Sequence, residues 1–442
     1  MISEYSRWIQ TRKTVTVAVL VAASGILNGR LACAAGKDVG WEAFSGHVTG
    51  DHYSKLSQIN RGTVRRLEVA WTYDTGEGGR IETNPLVVGR TLYAFTASQK
   101  VIALDAAKGT LKWRFDSGIR GTQPARGAVY VSDGNNGALF VGIMNFLYKL
   151  DAGTGKPVTS FGEDGRVDLR KGLRGDYLSN SIALTTPGVV YKDVIIVGGR
   201  NPETNPAPPG DIRAFDIRTG SLRWAFHTIP HPGEPGYNTW SKDSYERDGA
   251  ANNWAGMALD ENRGIVYVPT GSATPDFYGA GRIGDNLYAN SLLALNASTG
   301  KLIWHFQGVH HDMWDRDFPA HPVLLTVKHN GRKVDAVAQI SKQGFVFIFD
   351  RTNGTPLFPI EERPALQTDV PGEVTSKTQP YPAGIEPFAR QKLTEDMLTD
   401  RTPDAHTWAV QEFRKLKSEG QFTPLELARR TVIFPGFNGG GE

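Results

Sequence analysis

The sequence predicts an all-β protein built as a β-propeller, and three observations carry that prediction. A strand–turn–strand unit recurs along the chain. Glycine is abundant, at 50 of 442 residues, about 11% against a usual ~7%. Ten Trp and fourteen Tyr accompany it, as many short packed strands require. Five segments share the unit: Val101–Trp113, Leu147–Lys156, Ile212–Trp224, Leu292–Trp304 and Val346–Thr355.

In each unit an apolar run ends in Asp105, Asp151, Asp216, Asn296 or Asp350. Such a side chain starts a turn by bonding nearby amides. Four residues later Gly109, Gly155, Gly220, Gly300 or Gly354 supplies a positive φ. Where the second strand carries Trp, the indole is placed to pack between sheets. The turn positions are 46, 65, 80 and 54 residues apart, so loops of unequal length interrupt a common unit. Further strands are expected at 193–197 and 264–268. Leu67–Trp71 reads as the closing strand of a blade that begins elsewhere. Four strands per unit, repeated radially, make propeller blades. Residues 357–430 depart from the pattern, rich in Pro and charge. Thr402-Pro403-Asp404 starts a helix, with Ala405, Trp408, Ala409, Phe413 and Leu416 on one apolar face and Gly420 as its stop.

Composition excludes several classes. Hydrophobic residues are 40% and charged residues 21%, which fits neither a disordered chain nor a polytopic membrane protein. The formal charge of +3 resides in residues 1–35, where Arg7, Arg12, Lys13 and Arg30 face only Glu4. The remaining chain has 45 residues of each sign, so no basic nucleic-acid surface is indicated. The single Cys excludes an intrachain disulfide and a Cys-rich zinc site.

The basic residues precede an apolar run, Thr14–Leu27, and then small residues at 32–35. This is the layout of a signal peptide over 1–35, cleaved after Ala34 or Ala35. The run is short of the ~20 residues of a spanning helix. An uncleaved anchor and lipidation at Cys33 are the alternatives. Export implies the periplasm, with the propeller domain over 36–442.

The Asp-Ala-x-Thr-Gly-x-x-x-Trp units resemble those of quinoprotein dehydrogenases, which bind pyrroloquinoline quinone (PQQ) in an eight-bladed propeller. Glu82-Thr-Asn-Pro-Leu-Val87, Asn253-Trp-Ala-Gly-Met257, Gly284-Asp-Asn-Leu-Tyr-Ala-Asn-Ser291, Val309-His-His-Asp-Met-Trp-Asp-Arg-Asp317 and Ile340-Ser-Lys-Gln-Gly-Phe345 are similar to segments of the glucose/quinate branch. The resemblance runs from about Trp41 to the last residue. It implies Asp315 as catalytic base, taking the hydroxyl proton while hydride leaves the carbon. Lys342 would contact the quinone oxygens and stabilise charge there. Trp254 would be the floor under the planar cofactor, Glu82 a carboxylate at the quinone edge, and Thr186 a hydrogen-bond partner of a cofactor carboxylate. Glu203 would ligate a metal, with hard oxygen ligands suiting calcium.

The resemblance also implies oxidation of a sugar, polyol or alcohol, with electrons passed to ubiquinone or a cytochrome and peripheral membrane association. Ser272, where the alcohol branch has Asn, and Lys342, where it has Arg, place the chain nearer the sugar and polyol branch. Asp317 is similar to the extra carboxylate of lanthanide-using relatives, but the glucose branch shares that spacing, so calcium and a lanthanide both stay open. The segment from Ile433 to Glu442 resembles the start of a further blade. The expectation is an incomplete propeller of about six blades, truncated at its C-terminus. Two other readings compete. One is a noncatalytic scaffold, like the lipoprotein propeller of outer-membrane barrel assembly, anchored through Cys33. The other is a hydrolytic or zinc site at His310, His311, Asp312 and Asp315.

Overall fold

A computed structural model describes residues 39–132, 137–176 and 179–438. The expected leader, its cleavage site and Cys33 lie outside the described residues, as do the last four positions. The described chain is one compact unit beginning at Val39.

Antiparallel sheets follow one another in sequence order. The first holds β1 (Leu86–Val88), β2 (Thr91–Phe95), β3 (Val101–Asp105) and β4 (Leu111–Phe115). The second holds β5 (Ala128–Val131), β6 (Ala138–Ile143), β7 (Phe146–Asp151) and β8 (Arg166–Asp168). The third holds β9 (Val189–Tyr191), β10 (Val194–Val197), β11 (Ile212–Asp216) and β12 (Leu222–Phe226). A four-residue helix, α1 (Ser244–Arg247), lies in the connection to the fourth, made of β13 (Ala258–Asp260), β14 (Ile265–Pro269), β15 (Ser291–Asn296) and β16 (Leu302–Gln307). The fifth has three strands, β17 (Val323–His329), β18 (Arg332–Ile340) and β19 (Val346–Asp350). A hairpin of β20 (Ile360–Pro364) and β21 (Thr378–Pro382) follows. Among the described residues, then, four four-stranded sheets, one three-stranded sheet and a hairpin stand where about six blades were expected.

Each repeat forms the predicted turn. Asp105, Asp151, Asp216, Asn296 and Asp350 end a strand and accept amide hydrogen bonds with Oδ1 at 2.8–3.1 Å. The glycine four residues on has φ between 68° and 74° in all five. The shared turn shape has a second purpose. The indoles of Trp71, Trp113, Trp224 and Trp304 lie where a Cβ would project from Gly109, Gly155, Gly300 and Gly354 of the next sheet. Their Nε1 groups donate to Ala106, Ala152, Ala297 and Arg351 carbonyls at 3.0–3.2 Å. Each indole thus buries its face against a glycine and satisfies its one donor. Trp71 belongs to extended chain outside any strand, and it docks as the outer strand of a preceding sheet would. β8 carries no Trp. At that seam Gly162 N donates to Thr219 O at 2.9 Å, and the buried Arg213 donates to Leu169 O at 2.5 Å and Lys171 O at 3.0 Å.

The core lies between sheets, in clusters such as Ile196, Ala214, Leu259, Val268 and Leu293. The expected helix forms as α2 (Pro403–Phe413), with Thr402 Oγ1 accepting from Ala405 N, but it ends at Arg414, so Leu416 lies outside it and Gly420 is not its stop. Its apolar face is a correction. Trp408 is 65% exposed, and no residue of α2 is buried. Ala405, Ala409 and Phe413 are half-buried, and the Trp408 indole faces away from whatever shields them. No helix among the described residues is long and apolar enough to cross a membrane.

Glycine substitutions separate the two demands. Gly118 has φ 74° and open space around it, whereas Gly155 has φ 71° and the Trp113 indole against it. Gly118→Ala is expected to lose about 1 kcal/mol, the left-handed backbone cost. Gly155→Ala adds overlap with the ring and is expected to lose roughly 3 kcal/mol. Urea unfolding midpoints of the two variants measure the difference.

Candidate functional site

Loops at one edge of the sheets enclose a cavity of about 590 Å³. Trp254 precedes β13, Ser272 and Asp276 follow β14, Asp315 and Asp317 precede β17, and Lys342 follows β18. All six line the cavity, with Arg126, Thr185, Arg200, Asn201, Glu203 and Asn252.

The centre is a buried ammonium shared by two carboxylates. Lys342 Nζ donates to Asp315 Oδ1 and Asp317 Oδ2, both at 2.8 Å. Asp317 is saturated, since it also accepts from Trp254 Nε1 at 3.1 Å, Ser272 N at 2.7 Å and Ser272 Oγ at 3.1 Å. Burial pushes the Asp317 carboxyl up, but Lys342 and these donors outweigh it and hold it below the usual range. Asp315 has one partner. Burial, then the charge of Asp317, push it up to about 9 against the opposing pull of Lys342. Burial would strip Lys342 of its proton, but Asp317 and Asp315 hold its pKa above the ordinary value. The two carboxyls are thus driven apart, Asp315 upward and Asp317 downward. Asp315 sits in left-handed backbone, φ 54°, a conformation that costs about 1–2 kcal/mol outside glycine and is concentrated at functional sites.

Two cations face the Trp254 ring. Lys342 Nζ is 5.9 Å and Arg126 Cζ 5.5 Å from its centroid. Its backbone carbonyl accepts the Thr186 hydroxyl at 2.5 Å. The cavity wall also holds Asp276, pushed up to about 8 by burial and then by Asp317, Asp312 and Glu203.

The structure brings Asp315, Lys342, Trp254 and Glu203 to one cavity. Two expected residues stand elsewhere. Glu82 is exposed and lines a neighbouring cavity of about 340 Å³ that shares Pro124 with the first. Its link to the site is Arg126, at 3.8 Å. Thr186 is buried and committed to Trp254, so Thr185 faces the cavity in its place. Thr186 lies in a bend, which turns its side chain toward the Trp254 carbonyl. Sequence reading missed Arg126 and Asp276, and nothing local marks either one out.

The zinc or hydrolytic constellation does not assemble. His310 bonds Gln307 at 2.8 Å and Glu362 at 3.2 Å. His311 is buried between Gly284 O at 2.8 Å and Glu373 at 2.6 Å. Asp312 accepts from the Trp314 and Arg316 amides and from Asn290. These residues brace the loop from behind.

The cavity suits PQQ, a flat, anionic ring system. It offers an indole face, the cations Arg126, Arg200 and Lys342 beside it, and room. A metal is less well provided. Glu203 pairs with Arg200 at 3.1 Å, and the Ser272 hydroxyl is taken up by Asp312 and Asp317. Among the described residues no three Asp, Glu, His or Cys side chains converge to hold an ion.

Removing the shared ammonium tests the cluster. Lys342→Met leaves two buried carboxylates whose folded pKa values rise above their unfolded ones. Such groups cost nothing below their unfolded pKa and destabilise as pH rises. The variant is expected to lose roughly 3–5 kcal/mol at pH 8 and to recover most of it as pH falls toward ~4. Chemical denaturation at several pH values measures it.

Comparison with known proteins gives the geometry a context. Quinoprotein glucose dehydrogenase A of Acinetobacter calcoaceticus is 34% identical over 438 residues, covering 90% of this chain and 54% of that protein. The glycerol dehydrogenase large subunit of Gluconobacter oxydans is 32% identical over 428 residues, covering 91% and 57%. Among solved structures, quinohemoprotein alcohol dehydrogenase from Comamonas testosteroni superposes with a TM-score of 0.65 at 26% identity, covering 78% of this chain and 52% of that one. The chain spans about half the length of the curated relatives it matches. The family described as PQQ glucose/ethanol/alcohol dehydrogenase, β-propeller domain, matches residues 41–442, and the chain belongs to that family.

Proposed function

We propose that this chain carries the cofactor and substrate cavity of a PQQ-dependent dehydrogenase that oxidises the CH–OH group of a sugar, polyol or alcohol. One observation carries the reading: Trp254, Asp315 and Lys342, distant in sequence, line one cavity and share one hydrogen-bond network. A noncatalytic scaffold has no use for that convergence. The glucose and glycerol dehydrogenases among its relatives support the substrate class.

The residues divide the work. Trp254 would hold PQQ by its ring face, and the cofactor would supply the two-electron acceptor for the hydride that leaves the substrate carbon. Asp315, in its ionised form, takes the hydroxyl proton as the C–O bond gains double-bond character. Lys342 orients Asp315 through the 2.8 Å bond and sets a positive charge at the ring face. Asp317, held by Ser272 and Trp254, fixes Lys342 and leaves Asp315 the group that changes protonation. Arg126 and Arg200 provide cations for cofactor carboxylates. For calcium or a lanthanide the candidate ligand is Glu203. Its exposed carboxylate pairs with Arg200 and is one oxygen donor where calcium takes about six or more, so the donor set is incomplete among the described residues, and no step passes through a metal.

The leader-like residues 1–35 support export to the periplasm. Electron transfer to ubiquinone or a cytochrome completes the proposal, with ubiquinone favoured if the protein lies against a membrane.

Two measurements test it on the full-length protein reconstituted with PQQ and calcium. Asp315→Asn is expected to lower kcat for dye reduction about 100-fold or more with PQQ affinity within threefold of wild type; unchanged turnover would remove Asp315 from the reaction. The base must be ionised, so kcat/KM is expected to rise with pH toward an acid limb near the raised value of about 9. Asp317→Asn removes a like charge and leaves Lys342 to Asp315 alone, so that limb moves to lower pH. A limb that stays in place would break the coupling.

A further inference from the structure

Asp276 has no task in that scheme, and its surroundings call for one. It is 6% exposed and lines the same cavity as Asp315. The other acids of the wall are paired: Asp315 and Asp317 with Lys342, and Glu203 with Arg200. Asp276 makes no hydrogen bond or ion pair to the described residues, and only burial and through-space charges act on it. Buried polar groups in folded proteins almost always have partners, so a lone one in a cavity wall points to a ligand.

The loop that presents it is held firmly. Arg282, fully buried, donates to Pro275 O at 2.9 Å. Thr274 Oγ1 donates to Asn205 Oδ1 at 2.7 Å, and Thr274 N to Gly249 O at 3.1 Å. A group whose two preceding residues are held in this way is preorganised for a partner. Four groups act on it by charge: Asp317, Asp312 and Glu203 disfavour its ionisation, and Arg282 favours it. A neutral carboxyl both donates and accepts, which matches a hydroxyl.

We propose that Asp276 selects the substrate: its carboxyl hydrogen-bonds a second hydroxyl of a polyhydroxylated substrate while the hydroxyl to be oxidised lies at Asp315. This rests on the dehydrogenase reading above and narrows it to polyols and sugars over simple alcohols. A cavity of about 590 Å³ accommodates a small polyol beside a flat cofactor.

The test uses the full-length protein reconstituted with PQQ and calcium, with glycerol and 1-propanol as substrates in a dye-reduction assay. Asp276→Ala is expected to lower kcat/KM for glycerol roughly 10–100-fold, mainly through KM, and to shrink the preference for glycerol over 1-propanol. Asp276→Asn, which still donates and accepts, is expected to stay within about fivefold of wild type. PQQ affinity, read by tryptophan fluorescence, and calcium affinity, read by calorimetry, are expected to match wild type in both variants. An unchanged KM for glycerol in Asp276→Ala overturns the assignment. So does a loss of calcium affinity, which would make Asp276 a cation ligand. A wild-type protein that binds PQQ yet oxidises neither substrate nor glucose overturns the dehydrogenase reading, and this inference with it.

Discussion

An indole seated on a turn glycine of the next sheet is the contact on which this architecture rests. It joins one sheet to its neighbour through a flat apolar surface and one hydrogen bond, and it recurs at Trp71, Trp113, Trp224 and Trp304. The glycine answers to two constraints at once, a positive φ for the turn and a missing Cβ for the ring. The site depends on this because its residues come from different sheets. Lys342 meets Asp315 only if the fourth and fifth sheets keep their spacing, and Trp304 over Gly354 sets it.

Within the site the governing fact is an imbalance of charge. One ammonium serves two buried carboxylates, and the surrounding donors favour Asp317 over Asp315. The protein thereby separates two chemically identical side chains two residues apart. One is a fixed anion that orients Lys342 and the Trp254 indole. The other is a strong base with an opening to the cavity. Such a division of roles between neighbouring carboxyls arises wherever burial and hydrogen bonding are unequally shared.

The legible parts of the sequence were those written in local chemistry. A strand, an Asp or Asn, and a Gly four residues later describe a turn without reference to anything distant, and all five turns form. The segments around Trp254, Asp315 and Lys342 were legible through their resemblance to a family, and the fold brings them together. Glu82 and Thr186 show where such reading stops. A one-residue offset decides whether Thr185 or Thr186 faces the cavity, and Glu82 sits behind Arg126. Asp276 and Arg126 belong to no local pattern. Their significance lies in what surrounds them, which loop closure alone determines. The α2 stripe shows the converse, since its period was readable but the exposure of Trp408 was not.

The cavity walls hang from separate sheets, each wall a loop returning to its own pair of strands. The loop after β14 carries Asp276 and also Ser272, which bonds Asp317, whereas Lys342 and Asp315 come from other loops. In the proposed scheme the group that takes the proton, Asp315, and the group that meets a second hydroxyl, Asp276, stand on different loops.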